Sequence, residues 1–251
     1  MTPRVEPCEA GIAIHSDIDS RVLQAARALR AGDVVAIPTD TVYGLAAAID
    51  RPDAIDRLYA IKGRPAEKAI PILLSDPKQL RQVSTGLSNS AAHLARFFWP
   101  GALTLVLPAL PHLPSRLTSV SSDGLETVAV RVPNDQLTRA IIAAAGGALA
   151  VTSANRSGKK PALSAADITA VGADIPILVI DGGRAPGGVP SSVVLATGFA
   201  PVILREGAIS AADISSVMAE CRAGSGQQSS TLYDQSVTEH RQYHGPTETA
   251  P

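Results

Sequence analysis

Short apolar runs rich in Val, Ile, Leu and Ala alternate with segments of helical period along most of this chain, and no other feature restricts its fold as much. Ile18, Val22, Ala25, Ala26 and Leu29 recur at helical spacing behind Ser16, which reads as an N-cap with Asp17 and Asp19 in the first turn; Gly32 supplies the stop. Residues 34–37 follow as a β-branched strand. The same switching predicts helices over 52–61, 88–98, 135–145 and 164–171, and strands over 70–74, 103–107, 127–132, 148–152, 177–180, 192–195 and 202–204. Ser164 and Ser210 each open a Ser-x-x-Asp capping pattern, the second before a last helix. The fold class is α/β. Close strand spacing near the C-terminus points to hairpins, and so to a mixed sheet instead of an all-parallel one.

Aromatic residues are only 3% of the chain, so the core has to be built from aliphatic faces. A net charge of -1 gives no overall signal for a nucleic-acid or membrane-surface protein, although local basic patches exist. Cys8 and Cys221 are too few and too far apart for a disulfide framework or a zinc site. The first ten residues carry Glu6 and Glu9 without an apolar signal-peptide run, and no stretch approaches the roughly 20 apolar residues of a membrane helix. These features predict a soluble, cytoplasmic protein with no membrane contact. From Arg222 onward Gly, Ser, Gln, Thr and Pro dominate. The expected organisation is an N-terminal extension over 1–14, one domain over 15–220 and a mobile tail over 221–251.

Four polar, glycine-bearing loops interrupt the apolar pattern. Pro38-Thr39-Asp40-Thr41-Val42-Tyr43-Gly44 follows a strand and offers hydroxyls and a carboxylate to a small polar substrate, or is an ordinary turn closed by Gly44. Lys62-Gly63-Arg64-Pro65, with Lys68 behind it, either complements a helix dipole or holds cations for phosphate oxygens. Thr152 to Pro161 gathers hydroxyls, the Asn155 amide and three cations; it lacks Walker A spacing and is otherwise a solvated basic turn. Asp181 to Ser192 has four glycines, which permit close backbone approach to a ligand or an unusual path between strands. The five histidines lie outside all four loops, so a Ser-His-Asp triad or histidine metal site has no local support. Trp99-Pro100-Gly101 reads as a packed helix-to-strand turn.

In order along the chain, Pro38-Thr-Asp-Thr-Val-Tyr-Gly44, Lys62-x-Arg64-Pro65, Trp99-Pro-Gly-x-Leu-Thr104, Val128-Ala-Val-Arg131-Val-Pro133, Ser153-Ala-Asn155, Asp181-Gly-Gly183 and Leu204-Arg205-x-Gly207 resemble the YrdC-like domain of threonylcarbamoyl-AMP synthases over residues 15–220. The resemblance implies a twisted sheet with flanking helices and a basic concave face. It implies formation of threonylcarbamoyl-AMP and pyrophosphate from L-threonine, bicarbonate and ATP, with Mg²⁺ arriving on ATP and no metal ligands from protein side chains. Downstream threonylcarbamoyl transferase proteins would use the product on tRNA, and direct tRNA contact is a further implication.

By position, the family signature places Lys62, Arg64, Ser153 and Asn155 at the chemistry and Thr41, Arg131, Thr152 and Ser191 around threonine. Arg64, Lys68, Thr127, Ser153, Lys160 and Arg205 fall around ATP, Lys160 standing where relatives often carry Arg. Two departures bear on substrate preference: residues 70–74 are Ile-Pro-Ile-Leu-Leu where many relatives have a polar residue, and Pro190 replaces an acidic one. Alternatives on the same fold are a tRNA- or double-stranded-RNA-binding module without synthase activity, and carbamoyl transfer of the kind seen in hydrogenase maturation. The accessory acylphosphatase and zinc-finger segments of the latter are not in this sequence.

Overall fold

A computed structural model of the chain describes residues 10–224 apart from 66, 122, 169–176 and 199. Helix α1 (Ala10–Ala31) leads into β1 (Val35–Ile37), the Pro38 loop and β2 (Gly44–Ala48). Then follow α2 (Pro52–Lys62), β3 (Ile72–Leu74), α3 (Asn89–Phe98), β4 (Leu103–Pro108), β5 (Thr118–Val120) and β6 (Glu126–Arg131). The last part holds α4 (Gln136–Ala144), β7 (Ala148–Ser153), the short α5 (Ala165–Ile168), β8 (Leu178–Val179), β9 (Ser192–Leu195), β10 (Val202–Arg205) and α6 (Ala211–Gly224).

The strands form one mixed sheet in the order β10-β9-β4-β6-β3-β7-β2-β1-β8, with β5 added to β6. Pairs β1–β8, β3–β6 and β4–β9 are parallel and the others antiparallel. The β9–β10 hairpin is the feature that makes the C-terminal end mixed, as the spacing predicts. Ser88 and Asp135 cap α3 and α4 by accepting from the Ala91 and Thr138 amides, the expected geometry for these residue types.

Several expectations need correcting. Helix α1 begins at Ala10 and not behind Ser16, because no proline interrupts the backbone between Ala10 and Ala31. Strand β2 escapes the sequence pattern because Gly44–Ala48 has no β-branched residue and is buried on both faces, so neither composition nor alternation marks it. Pairing over 70–74 starts only at Ile72, since the Ile70 amide turns to the Arg116 carbonyl. Helix α6 runs to Gly224, past the expected start of the tail at 221; 225–251 and 169–171, the end of the helix expected over 164–171, lie outside the described residues.

Strand alternation divides the core in two. On one face α2, α3 and α6 cover Leu45, Ile72, Leu105, Val130 and Val194. On the other, α1 and α4 cover Val35, Ile37, Ala46, Leu149, Val151 and Leu73. This second helical cover stops at β3. Beyond it, Arg131 pairs in register with Leu73 and so lies on the same face. So do Thr127 and Ala129 of β6, Thr104 and Val106 of β4, and Val193 and Leu195 of β9. Among the described residues neither helix of this layer extends over β6, β4 or β9, and the candidate site lies at the Arg131 end of these strands.

Candidate active site

The site forms where three loops meet at the strand ends. Thr39 fixes the first of them. Its Oγ1 donates to the Val42 carbonyl at 2.6 Å and accepts from the amides of Thr41 and Val42, at 3.1 and 3.2 Å. Thr138 Oγ1 donates to the Pro38 carbonyl from α4. The loop is thus held by its own hydroxyls, which places Thr41 at the cleft and Asp40 against Arg131.

Arg131, at the end of β6, is 5% exposed, and each of its three guanidinium nitrogens donates one hydrogen bond to the protein. Nε donates to the Gly101 carbonyl at 2.8 Å, Nη1 to Thr41 Oγ1 at 3.0 Å and Nη2 to Asp40 Oδ1. Burial lowers the guanidinium pKa, against the pull of Asp40, but arginine stays charged. A guanidinium has five N–H donors, so two remain for a ligand. The Trp99 turn supports this corner: Trp99 is buried, its Nε1 donates to the Leu103 carbonyl at 2.7 Å, and the Gly101 amide bonds Val132.

Lys62 is the last residue of α2, where Gly63 turns the chain in the left-handed region at φ 58°. Its side chain does not trail into solvent along the helix axis, as a dipole-complementing lysine would. It is 5% exposed, and Nζ donates to the Ser153 carbonyl at 2.6 Å, Ser153 Oγ at 2.9 Å and Asn155 Oδ1 at 2.7 Å. Burial first, then the charge of Arg64, bring its pKa down to about 8. Asn155 is aligned in turn by Ser153 Oγ–H at 2.7 Å and by its own amide donating to the Arg156 and Lys159 carbonyls. The Lys-x-Arg and Ser-x-Asn segments, about ninety residues apart, are one hydrogen-bonded cluster.

A cleft of about 180 Å³ lies beside that cluster, with Arg64, Ser153, Thr152, Thr41, Arg131 and Ser191 among its walls. Arg64 is steadied by Nε donating to the Lys68 carbonyl and Nη2 to the Ala69 carbonyl, both at 2.7 Å. Arg205 also lines it and donates from Nη2 to the Ser191 carbonyl at 2.6 Å; burial and the nearby Arg64 charge lower its pKa. Ser191 Oγ and Thr104 Oγ1 lie 2.9 Å apart, both buried. Pro71, Leu73 and Val151 add an apolar wall. The enclosed space is below the roughly 300–1,000 Å³ of drug-sized ligand sites, so it suits an amino acid more than a whole nucleotide.

The sequence-predicted residues therefore separate. Arg64, Thr41, Arg131, Thr152, Ser153, Ser191 and Arg205 line the cleft, with Lys62 and Asn155 bonded directly behind Ser153. Lys68 and Lys160 are exposed and do not line it. Thr127 sits on the same sheet face as Arg131, four residues back along β6, its hydroxyl donating to Ser119 at 2.9 Å. Sequence reasoning did not single out Thr39, Thr104 or Val151 as site residues, and it marked Leu73 only within the 70–74 departure. Thr104 ends a motif already noted, whereas the wall emerges only from strand pairing. Asp40 gains a role as the buried counterion of Arg131.

Two glycines of the fourth loop allow close approach to the first loop. A Cβ on Gly187 would lie 2.8 Å from the Asp40 carbonyl oxygen, and one on Gly182 would lie 2.6 Å from Pro38 Cγ. They let this segment press against the first loop. Among the described residues no group of three or more His, Cys, Asp or Glu is placed to hold a metal.

A family model described as Sua5_yciO_yrdC, telomere recombination, matches residues 27–207. Threonylcarbamoyl-AMP synthase of Bacillus subtilis (strain 168) is 40% identical over 210 residues, 83% of this chain and 59% of that protein. A structure titled P. abyssi Sua5 complexed with L-threonine has a TM-score of 0.71 at 36% identity, covering 78% of this chain and 56% of that one. The structure of E. coli YciO has a TM-score of 0.68 at 27% identity, covering 77% and 91%. The chain spans less than two thirds of the length of the first two relatives.

Proposed function

The chain belongs to the Sua5/YciO/YrdC family, and from that premise we propose that it forms threonylcarbamoyl-AMP and pyrophosphate from L-threonine, bicarbonate and ATP. The observation that carries this reading is the convergence of a buried lysine cluster, two phosphate-suited arginines and an arginine fork on one small polar cleft.

The threonine carboxylate takes the two free N–H groups of the Arg131 fork, beside Thr41. The Thr104–Ser191 hydroxyl pair and Thr152 offer partners for its hydroxyl, and Leu73 and Val151 face its methyl. The amine condenses with bicarbonate, losing water, to a carbamate that is ionised near neutral pH, so no dedicated base is needed. A carbamate oxygen then bonds to the α-phosphorus of ATP while the bond from that phosphorus to the bridging oxygen breaks and pyrophosphate leaves. Anion approaches anion in this step. Lys62, Arg64 and Arg205 supply the compensating charge, and Ser153 and Asn155 hold Lys62 in line.

ATP extends from the cleft toward Thr127, with the exposed Lys68 and Lys160 offering further cations to its phosphates. The donor set of the cleft is cationic and hydroxylic, which suits Mg²⁺ carried on phosphate oxygens and water and not caged by side chains; the ion adds charge neutralisation at the phosphates. The synthase unit, expected over residues 15–220, takes in the whole of α1 and α6 and so spans 10–224. The product is reactive, so downstream threonylcarbamoyl transferase proteins acting on tRNA follow as partners, in the cytoplasm. No helix among the described residues is long and apolar enough to cross a membrane.

Pyrophosphate release, measured with each of threonine, bicarbonate and ATP omitted in turn, tests the proposal. A signal that needs all three is expected. Threonine-independent release, or none, overturns it, and salt-dependent tRNA binding in that case would favour an RNA-binding module.

A further inference from the structure

Residues 181–191 run from the end of β8 to the start of β9 without regular secondary structure, yet they end on Ser191 in the cleft wall. Their path must be set by side ties. Tyr43, fully buried at the start of β2, makes two of them: its Oη donates to the Gly183 carbonyl at 2.7 Å and accepts the Gly182 amide at 3.2 Å. Burial raises the phenol pKa, which keeps it a donor. The main chain of the same residue reaches the third loop, its amide donating to Ala162 at 3.0 Å and its carbonyl accepting from Ala154 at 2.7 Å. Ala154 lies between Ser153 and Asn155. One residue therefore ties three of the four polar loops.

Further along, the Gly188 amide donates to the Thr41 carbonyl at 2.8 Å, and Gly187 presses on Asp40 where no side chain could fit. The segment is thus zipped to the Asp40–Thr41 wall from Gly182 to Gly188, and three residues later it delivers Ser191. Through this zip the segment that carries Ser191 is tied to the loop that carries Thr41, and both residues line the cleft.

We infer that Tyr43 is a positioning residue that sets the width of the cleft, and with it the affinity for the amino-acid substrate, by pinning the 181–191 segment to the Thr39–Thr41 wall. The inference rests on the proposed synthase activity for its substrate and on the contacts above for its mechanics. Tyr43→Phe keeps the buried ring and removes only the hydroxyl. Gly182 and Gly183 are solvent-exposed, so water takes up the freed bonds and the fold survives.

The expected result is a KM for threonine raised about tenfold, the scale of the two positioning hydrogen bonds lost with the hydroxyl, with kcat and the KM for ATP within about twofold of wild type. Amide exchange at Ala185 and Gly188 should accelerate while the melting temperature barely moves. Gly187→Ala, which pushes the same segment off Asp40 from its other end, should reproduce the threonine effect. Wild-type threonine KM in both variants overturns the inference. A common fall of kcat, both affinities and melting temperature also overturns it, because the hydroxyl would then be only structural. If the wild-type protein has no threonine-dependent turnover, the functional proposal fails while the exchange measurement still tests the pin: unchanged exchange at Ala185 and Gly188 in Tyr43→Phe refutes it.

Discussion

Lys62→Met should make the protein more stable while removing its proposed turnover. The lysine ammonium is buried, and its pKa lies at about 8 against an ordinary 10.5. A fall of that size corresponds to about 3 kcal/mol by which the folded state disfavours the charged form, at about 1.4 kcal/mol per pH unit. Methionine removes that cost. It also leaves the Ser153 carbonyl without its 2.6 Å donor, a loss of about 1–2 kcal/mol. Asn155 Oδ1 is spared, because Ser153 Oγ–H still donates to it. The balance favours the variant by about 1–2 kcal/mol, or roughly 2–8 °C in melting temperature for a domain of this size.

The same difference depends on pH. The folded pKa is depressed, so below pH 8 the lysine is charged in both states and the full cost is present. As pH rises from about 8 toward 10.5 the folded lysine loses its proton before the unfolded one, and wild type gains on the variant. Denaturant melts of both proteins at pH 7 and pH 10 measure this directly. A variant less stable than wild type at pH 7, or a gap that does not narrow by pH 10, would refute the view of Lys62 as a charge kept in an unfavourable place for function.

Asp40→Ala leaves Arg131 a buried charge with hydrogen bonds only to Gly101 and Thr41, and should cost about 3 kcal/mol in chemical denaturation, the low end for a broken buried pair because the cleft stays open to water. Added threonine should recover part of that loss, and a neutral effect on stability would deny Asp40 its counterion role. Arg64→Ala should lower pyrophosphate release by well over tenfold, about 2 kcal/mol of lost transition-state stabilisation, with wild-type rates returning the residue to a helix-end function. Thr104→Val, isosteric and placed against Ser191, should raise the KM for threonine several-fold without changing the KM for ATP; an unchanged threonine KM removes the hydroxyl pair from recognition.

Most of the sheet was legible because its strands are short, apolar and bounded by turn residues. Strands β9 and β4 sit where composition puts them, to within a residue. Strand β2 was not, since Gly-Leu-Ala-Ala-Ala carries no strand preference and is fixed by its neighbours: Gly44 opposes Ser153, and a Cβ there would meet Val151 Cγ1 at 2.6 Å. That missing strand is also why the site could not be assembled from local pattern. The β2–β7 pairing is what brings the Thr41 loop beside Ser153, and the β3–β6 pairing sets Leu73 beside Arg131. The polar loops could be found from residue type alone. Their mutual geometry, including the Asp40–Arg131 pair across 91 positions, belongs to the topology. For Lys62 the sequence left two roles open, a dipole partner or a phosphate cation, and its burial against Ser153 and Asn155 counts against the first.

Carbamate adenylylation is tested most directly by incubating the protein with threonine, radiolabelled bicarbonate and ATP labelled at the α-phosphate, then separating the products. One threonine-dependent species carrying both labels, formed in step with pyrophosphate, is the predicted result. Both labels recovered only in unreacted bicarbonate and ATP, or α-phosphate label in AMP with none of the bicarbonate carbon, would contradict it.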